Sequence, residues 1–176
     1  MEENVVQEIM SRYLESEWSV KLQPRKVGPD FLFKGKAIET KPTDFKVTDV
    51  TNQLARYASE YTEFGLAFPA DALNSANLIA LHILGTIWYP AFEKWLTVYL
   101  IHETPQYYGV LKIPDVSDLI GRICTRIKNL GTLKEKDTHK LIANIESISK
   151  GLDKVTILSC INEIENNTSI RWITKT

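Results

Sequence analysis

Cysteine is scarce in this chain: only Cys124 and Cys160 occur in 176 residues, and they are far apart. Two widely spaced thiols exclude a disulfide framework, a four-cysteine zinc site and a cysteine-held iron–sulfur cluster. Charge of one sign is missing as well, because 21 Lys and Arg stand against 22 Asp and Glu for a net charge of -1. That balance excludes a polybasic coating, so any nucleic-acid contact must come from a local patch. No purely apolar run reaches the roughly 18 residues that a membrane span requires. The most apolar stretch, 76–101, is interrupted by Asn77, His82, Gly85 and Pro90 and reads as buried core, so no membrane partner is expected. Residues 1–8 lack the basic start and apolar run of a secretory signal. With so few cysteines, this points to an intracellular, cytoplasmic location. A Gly-x-Ser-x-Gly setting and a Gly-rich loop ending in Gly-Lys-Ser/Thr are also absent, which leaves serine hydrolases and nucleotide triphosphatases without support. His82, His102 and His139 have no ligand-like spacing, so a zinc site is not expected.

What is present suits one globular domain: 44% of the residues are apolar and 24% charged, enough for a real core. Charge is unevenly spread. Residues 1–69 carry 9 basic and 11 acidic side chains, 70–114 carry 2 and 3, and 115–176 carry 10 and 8. The middle is therefore the core and the ends are solvated. With no repeat and no Pro-, Gly- or Ser-rich linker, the simplest division is an α/β core over 1–114 and a helical C-terminal extension over 115–176, packed on the same domain.

Val5, Val6, Ile9, Met10, Tyr13 and Leu14 recur at helical spacing, which predicts an amphipathic helix over 3–17. From Ser19 the period changes to short β-branched and aromatic runs at 19–23, 30–33 and 37–40, with Lys34-Gly35-Lys36 as a tight turn between the last two. Pro42 ends the third run, and Asp49 or Thr51 can cap a helix to about Tyr61. A buried strand is expected at 64–68, a helix at 72–84 and short strands at 86–89 and 110–113. For 95–101, helix and strand fit equally well. Asp115 should cap a helix to about Asn129, followed by helices near 133–149 and 152–166 and a strand or tail at 169–173. The class is mixed α/β, helix first, then a sheet with a hairpin, then helices.

The informative stretch runs from Gly28 to Tyr57. It holds Gly28-Pro29-Asp30, then Glu39-Thr40-Lys41, then Gln53 and Tyr57 on the next helix. Residues i and i+2 of a strand share a face, so Glu39 and Lys41 project together, and the hairpin brings Asp30 beside them. Carboxylate oxygens in such an arrangement suit a hard divalent cation, Mg²⁺ or Mn²⁺. Gln53 and Tyr57, four apart on a helix, reach the same ligand. Taken singly these are ordinary features: Glu-x-Lys is a common surface pair and Gly-Pro-Asp a common turn. Their order and spacing together mark a site.

Asp30, Glu39, Lys41, Gln53 and Tyr57, with Gly28 ahead of them, resemble the signature of the PD-(D/E)xK nuclease superfamily, and within it the RecB-like branch. The resemblance covers 5–69; the four cysteines of the branch's iron–sulfur members are missing. It implies a restriction-endonuclease-like core and a Mg²⁺- or Mn²⁺-dependent DNA nuclease. In it, Asp30, Glu39 and the Thr40 carbonyl hold metal, with Glu8 on the first helix as a further ligand. Lys41 positions or deprotonates the attacking water, Gln53 orients a phosphate or water, and Tyr57 packs beneath it. Lys21, Arg25, Lys26, Lys34, Lys36, Lys46 and Arg56 bracket this site as candidate DNA contacts. Arg122, Arg126 and Lys128 read as a solvated helix face.

Two other readings compete. One is a catalytically inactive nucleic-acid-binding or assembly subunit with the same fold, which need not retain Asp30, Glu39 and Lys41 together. The other is an α/β domain with no active site, in which Trp88, Tyr89, Tyr107 and Tyr108 mark a protein interface. A homodimer would suit double-strand cleavage by a one-site nuclease.

Overall fold

A computed structural model describes residues 1–119, 121 and 170–175. The chain folds as α1 (Glu3–Trp18), β1 (Phe31–Phe33), β2 (Lys36–Thr40), α2 (Val47–Glu60), β3 (Glu63–Pro69), a 3-10 turn (Ala70–Ala72), α3 (Ser75–Phe92), β4 (Leu96–Glu103), β5 (Tyr107–Ile113) and β6 (Ile170–Thr174). The six strands form one mixed sheet in chain order. β2, β3 and β4 run parallel, while β1, β5 and β6 are each antiparallel to the strand before or after them. The protein is therefore an α/β fold with a mixed six-stranded sheet.

Alternation along the strands divides the core into two layers. Ala37, Phe64, Leu66, Phe68, Val98 and Leu100 face α2 and α3, whereas Ile38, Ala67, Tyr99 and Ile101 face α1. Helices thus cover both faces, as a sheet with long apolar runs requires. The β1–β2 hairpin is closed by Lys34 and Gly35, both at positive φ (49° and 80°). Two such residues between strands form the mirror-image turn that matches strand twist. A Cβ at Gly35 would also lie 2.7 Å from the Thr62 hydroxyl.

Several expected elements differ. Residues 19–23 are irregular: α1 ends at Ser19 (φ 55°), and the Leu22 carbonyl accepts the Ser11 hydroxyl of α1. This segment packs on the helix and joins no ladder. Residues 86–89 are helical, because Leu81, Leu84 and Trp88 form one buried stripe that carries α3 through to Phe92. Pro90 sits in its last turn. Residues 95–101, equally consistent with helix or strand, lie largely in β4. The helix after Pro42 starts at Val47, earlier than its own sequence suggests, since Asn77 of α3 caps it from outside.

Ser117 N–H bonds the Asp115 carboxylate, so Asp115 does open a helical turn. Apart from residues 116–119 and 121, which are helical, the stretch expected as a helix to about Asn129 lies outside the described residues, as do the helices expected at 133–149 and 152–166 and Arg122, Arg126, Lys128, Cys124, His139 and Cys160. Residues 170–174, where a strand or tail was expected, form β6, paired to β5. Among the described residues no helix is long and apolar enough to cross a membrane.

Candidate active site

Parallel pairing places the ends of β2, β3 and β4 at one end of the sheet, and antiparallel pairing brings the start of β1 there too. Open α/β sheets bind ligands outside these carboxyl ends. Continuing the β1–β2 register by one step sets Asp30 opposite Glu39. Just before Asp30, the Arg25 N–H bonds the Asp30 carbonyl at 2.8 Å. This closes a loop in which Gly28 takes φ 83°.

Asp30 is 8% exposed and accepts three hydrogen bonds. Gln7 Nε2 donates to Oδ1 at 2.9 Å, while the Thr40 N–H and hydroxyl each donate to Oδ2 at 2.7 Å. The next amide, Lys41 N–H, bonds Ala67 of β3. A strand residue directs its N–H and C=O to the same side, so the Thr40 carbonyl faces the Asp30 side.

Glu39 is 4% exposed. Its Oε1 accepts Lys41 Nζ at 2.6 Å and Gln53 Nε2 at 2.8 Å, and the Gln53 amide also reaches the Tyr57 hydroxyl at 3.3 Å. Its Oε2 is buried with no hydrogen-bond partner among the described residues. Burial raises the Glu39 pKa; the hydrogen bond from Lys41 opposes this and the Asp30 charge adds to it. Lys41 Nζ stands 3.9 Å from Glu3 as well.

The five signature residues thus lie in two hydrogen-bonded sets at the end of β2, Asp30 with Gln7 and Thr40, and Glu39 with Lys41, Gln53 and Tyr57; Asp30 immediately precedes β1 and Glu39 lies on β2. The first helix contributes Glu3 and Gln7, four apart on one face, which sequence reasoning missed. Glu8 is exposed and points one residue around the helix from Gln7. The available signal was helical phase: Gln7 adjoins the buried Val6 and is three residues from Met10. Among the expected DNA contacts, Lys21, Arg25 and Lys26 sit on the loop leading to Asp30. Lys46 immediately precedes α2, and Arg56 lies exposed over the Tyr57 ring. Lys34 and Lys36 flank the hairpin turn, at the opposite end of β2 from Glu39. Lys36 is there paired with Glu63 at 3.3 Å.

Trp88 is not an exposed aromatic. It is 2% exposed and stacks on Phe64, while Tyr89 and Tyr107 are both exposed and Tyr108 is half-buried.

The donor set at the sheet end is two carboxylates and one backbone carbonyl. Among the described residues no group of three His, Cys, Asp or Glu side chains could hold a metal ion. A Mg²⁺-like cation does not need one, since it keeps several waters and takes one or two carboxylates. The unpartnered Glu39 Oε2 is the acceptor such a cation would use, so the residues fit it. Comparison of the chain with protein-family models, curated proteins and solved structures finds no match.

Proposed function

We propose that this protein is a metal-dependent DNA nuclease with a restriction-endonuclease-like core. The observation that carries the reading is the meeting of two buried carboxylates, Asp30 and Glu39, with Lys41 and Gln53, one carboxylate oxygen having no hydrogen-bond partner among the described residues. Also in its favour are the helix, the hairpin and the crossover through α2 to a parallel strand.

Asp30 and Glu39, with the Thr40 carbonyl, would hold Mg²⁺ or Mn²⁺. Such a cation supplies neutralising charge at the scissile phosphate and acidifies water. Thr40 and Gln7 fix the Asp30 carboxylate by hydrogen bonds to both oxygens. Lys41, anchored on Glu39, has three N–H donors. Those not given to Glu39 orient the attacking water and meet charge developing on the phosphate. Gln53 holds the other side of Glu39 Oε1, and the Tyr57 hydroxyl supports Gln53. Two copies would cut both strands of a duplex.

The test is digestion of labelled linear and closed circular DNA with Mg²⁺ or Mn²⁺, repeated with chelator. Cleavage that needs the cation supports the reading, and cutting of the circle identifies an endonuclease. If a folded protein cuts neither substrate with either cation, the inactive binding subunit becomes the better account.

A further inference from the structure

Beside the candidate site, on the α1 face, lies a groove of about 330 Å³ lined by Asn4, Gln7, Ser11, Arg12, Lys21 and Gln23, among others. That volume falls at the lower end of ligand pockets, which run from about 300 to 1,000 Å³. Apart from Pro24, its lining residues carry polar or charged side chains. Two walls form it: one face of α1 and the irregular segment that follows the helix, held to α1 by the Ser11 hydroxyl on the Leu22 carbonyl. Arg12 and Lys21 bring positive charge, and Glu8 is the lone carboxylate of the lining. The groove and the site share a residue, because the Gln7 amide that lines the groove donates to Asp30 at 2.9 Å.

We propose that this groove holds the DNA backbone next to the scissile phosphate, with the Lys21 ammonium and the Gln23 and Asn4 amides as its phosphate contacts. The inference rests on the nuclease reading and adds to it the path of the strand. The strand crosses the carboxyl end of β2, from the α1 face to the Gln53 side of Glu39. Irregular backbone at 19–23 is then a functional feature: a seventh strand there would draw the groove's outer wall away from α1 onto the sheet. Arg12 is tied to β6 through the Thr174 carbonyl at 2.8 Å, so it sets the groove's positive potential from a fixed position.

The experiment is fluorescence anisotropy of a labelled DNA oligonucleotide with the full chain, in parallel with cleavage of the same DNA. The proteins are wild type, Lys21→Glu, Gln23→Glu and Lys112→Glu. Lys112 is exposed on β5, three strands across the sheet from β2. Lys21→Glu and Gln23→Glu are expected to weaken binding about tenfold or more. Lys21→Glu should also flatten the slope of log affinity against log salt by about 1. Lys112→Glu should change affinity less than about twofold. Wild-type binding and cleavage that both groove variants retain in full would overturn the groove while leaving the nuclease intact. A wild type that neither binds nor cuts DNA would overturn both.

Discussion

Glu39 is a carboxylate removed from water, and burial outweighs its bond to Lys41 in setting its proton affinity. Because its pKa is raised, the folded state holds this proton more tightly than the unfolded chain. Stability therefore falls as pH rises from the ordinary carboxylate value through the raised one. Glu39→Gln removes that loss. In chelator, thermal melts should show the variant more stable than wild type near neutral pH, with the two curves converging as pH falls toward the ordinary value. A variant less stable at every pH would mean that the Lys41 ion pair, not burial, dominates. The positions of Asp30, Glu39, Lys41, Gln53 and Tyr57 were legible in the sequence because each depends on a short-range rule, i+2 on a strand, i+4 on a helix or the register of one hairpin. Glu3 and Gln7 were not picked out, since only one step of helical phase separates Gln7 from Glu8, and the phase set by Val6 and Met10 is the one local sign that favours Gln7.

At the scale of elements, α2 carries Gln53 and Tyr57 but lacks a side-chain cap of its own at either end. Its caps come from elsewhere in the chain. Asn77 accepts the Val47 N–H at 2.9 Å and donates to the Phe45 and Ala72 carbonyls. At the other end, Lys94 Nζ donates to the Ala58 and Tyr61 carbonyls. Hydrogen bonds from a charged donor are worth about 1.5–3 kcal/mol. Lys94→Met should accordingly destabilise the protein by about 1–3 kcal/mol in urea unfolding, with unchanged slope; a loss below about 0.5 kcal/mol would show that the cap does not hold the helix. These partners explain the misplaced helix start, because a cap some 30 residues away in sequence leaves no local trace. The same holds for residues 86–89, whose β-branched and aromatic content suits a strand until the stripe of Leu81, Leu84 and Trp88 commits them to α3. For residues 19–23, alternation was present but the ladder partner was not.

At the scale of the molecule, among the described residues, α1 and the pair α2 and α3 enclose one sheet, and β6 lies at one edge of it. β6 buries Ile173 against the α1-side core, and Arg171 reaches Ser16 and Glu17 of α1. Layering was legible from the periodicities and the charge-poor middle of the chain. The return of residues 170–174 to β5 was not, because strand pairing across such a separation has no sequence signature. Ile173→Ala should cost about 2–4 kcal/mol and leave a single cooperative unfolding transition. Two transitions would mean that the end of the chain folds apart from the sheet.

Asp30, Glu39 and Lys41 carry the proposed chemistry. The most direct test is the initial rate of Mg²⁺-dependent DNA cleavage by wild type beside Glu39→Gln and Lys41→Ala, each verified as folded by circular dichroism. Losing one preorganised group of this kind is expected to lower the rate about 100-fold or more. Cleavage by both variants at the wild-type rate would contradict the account and place the activity elsewhere.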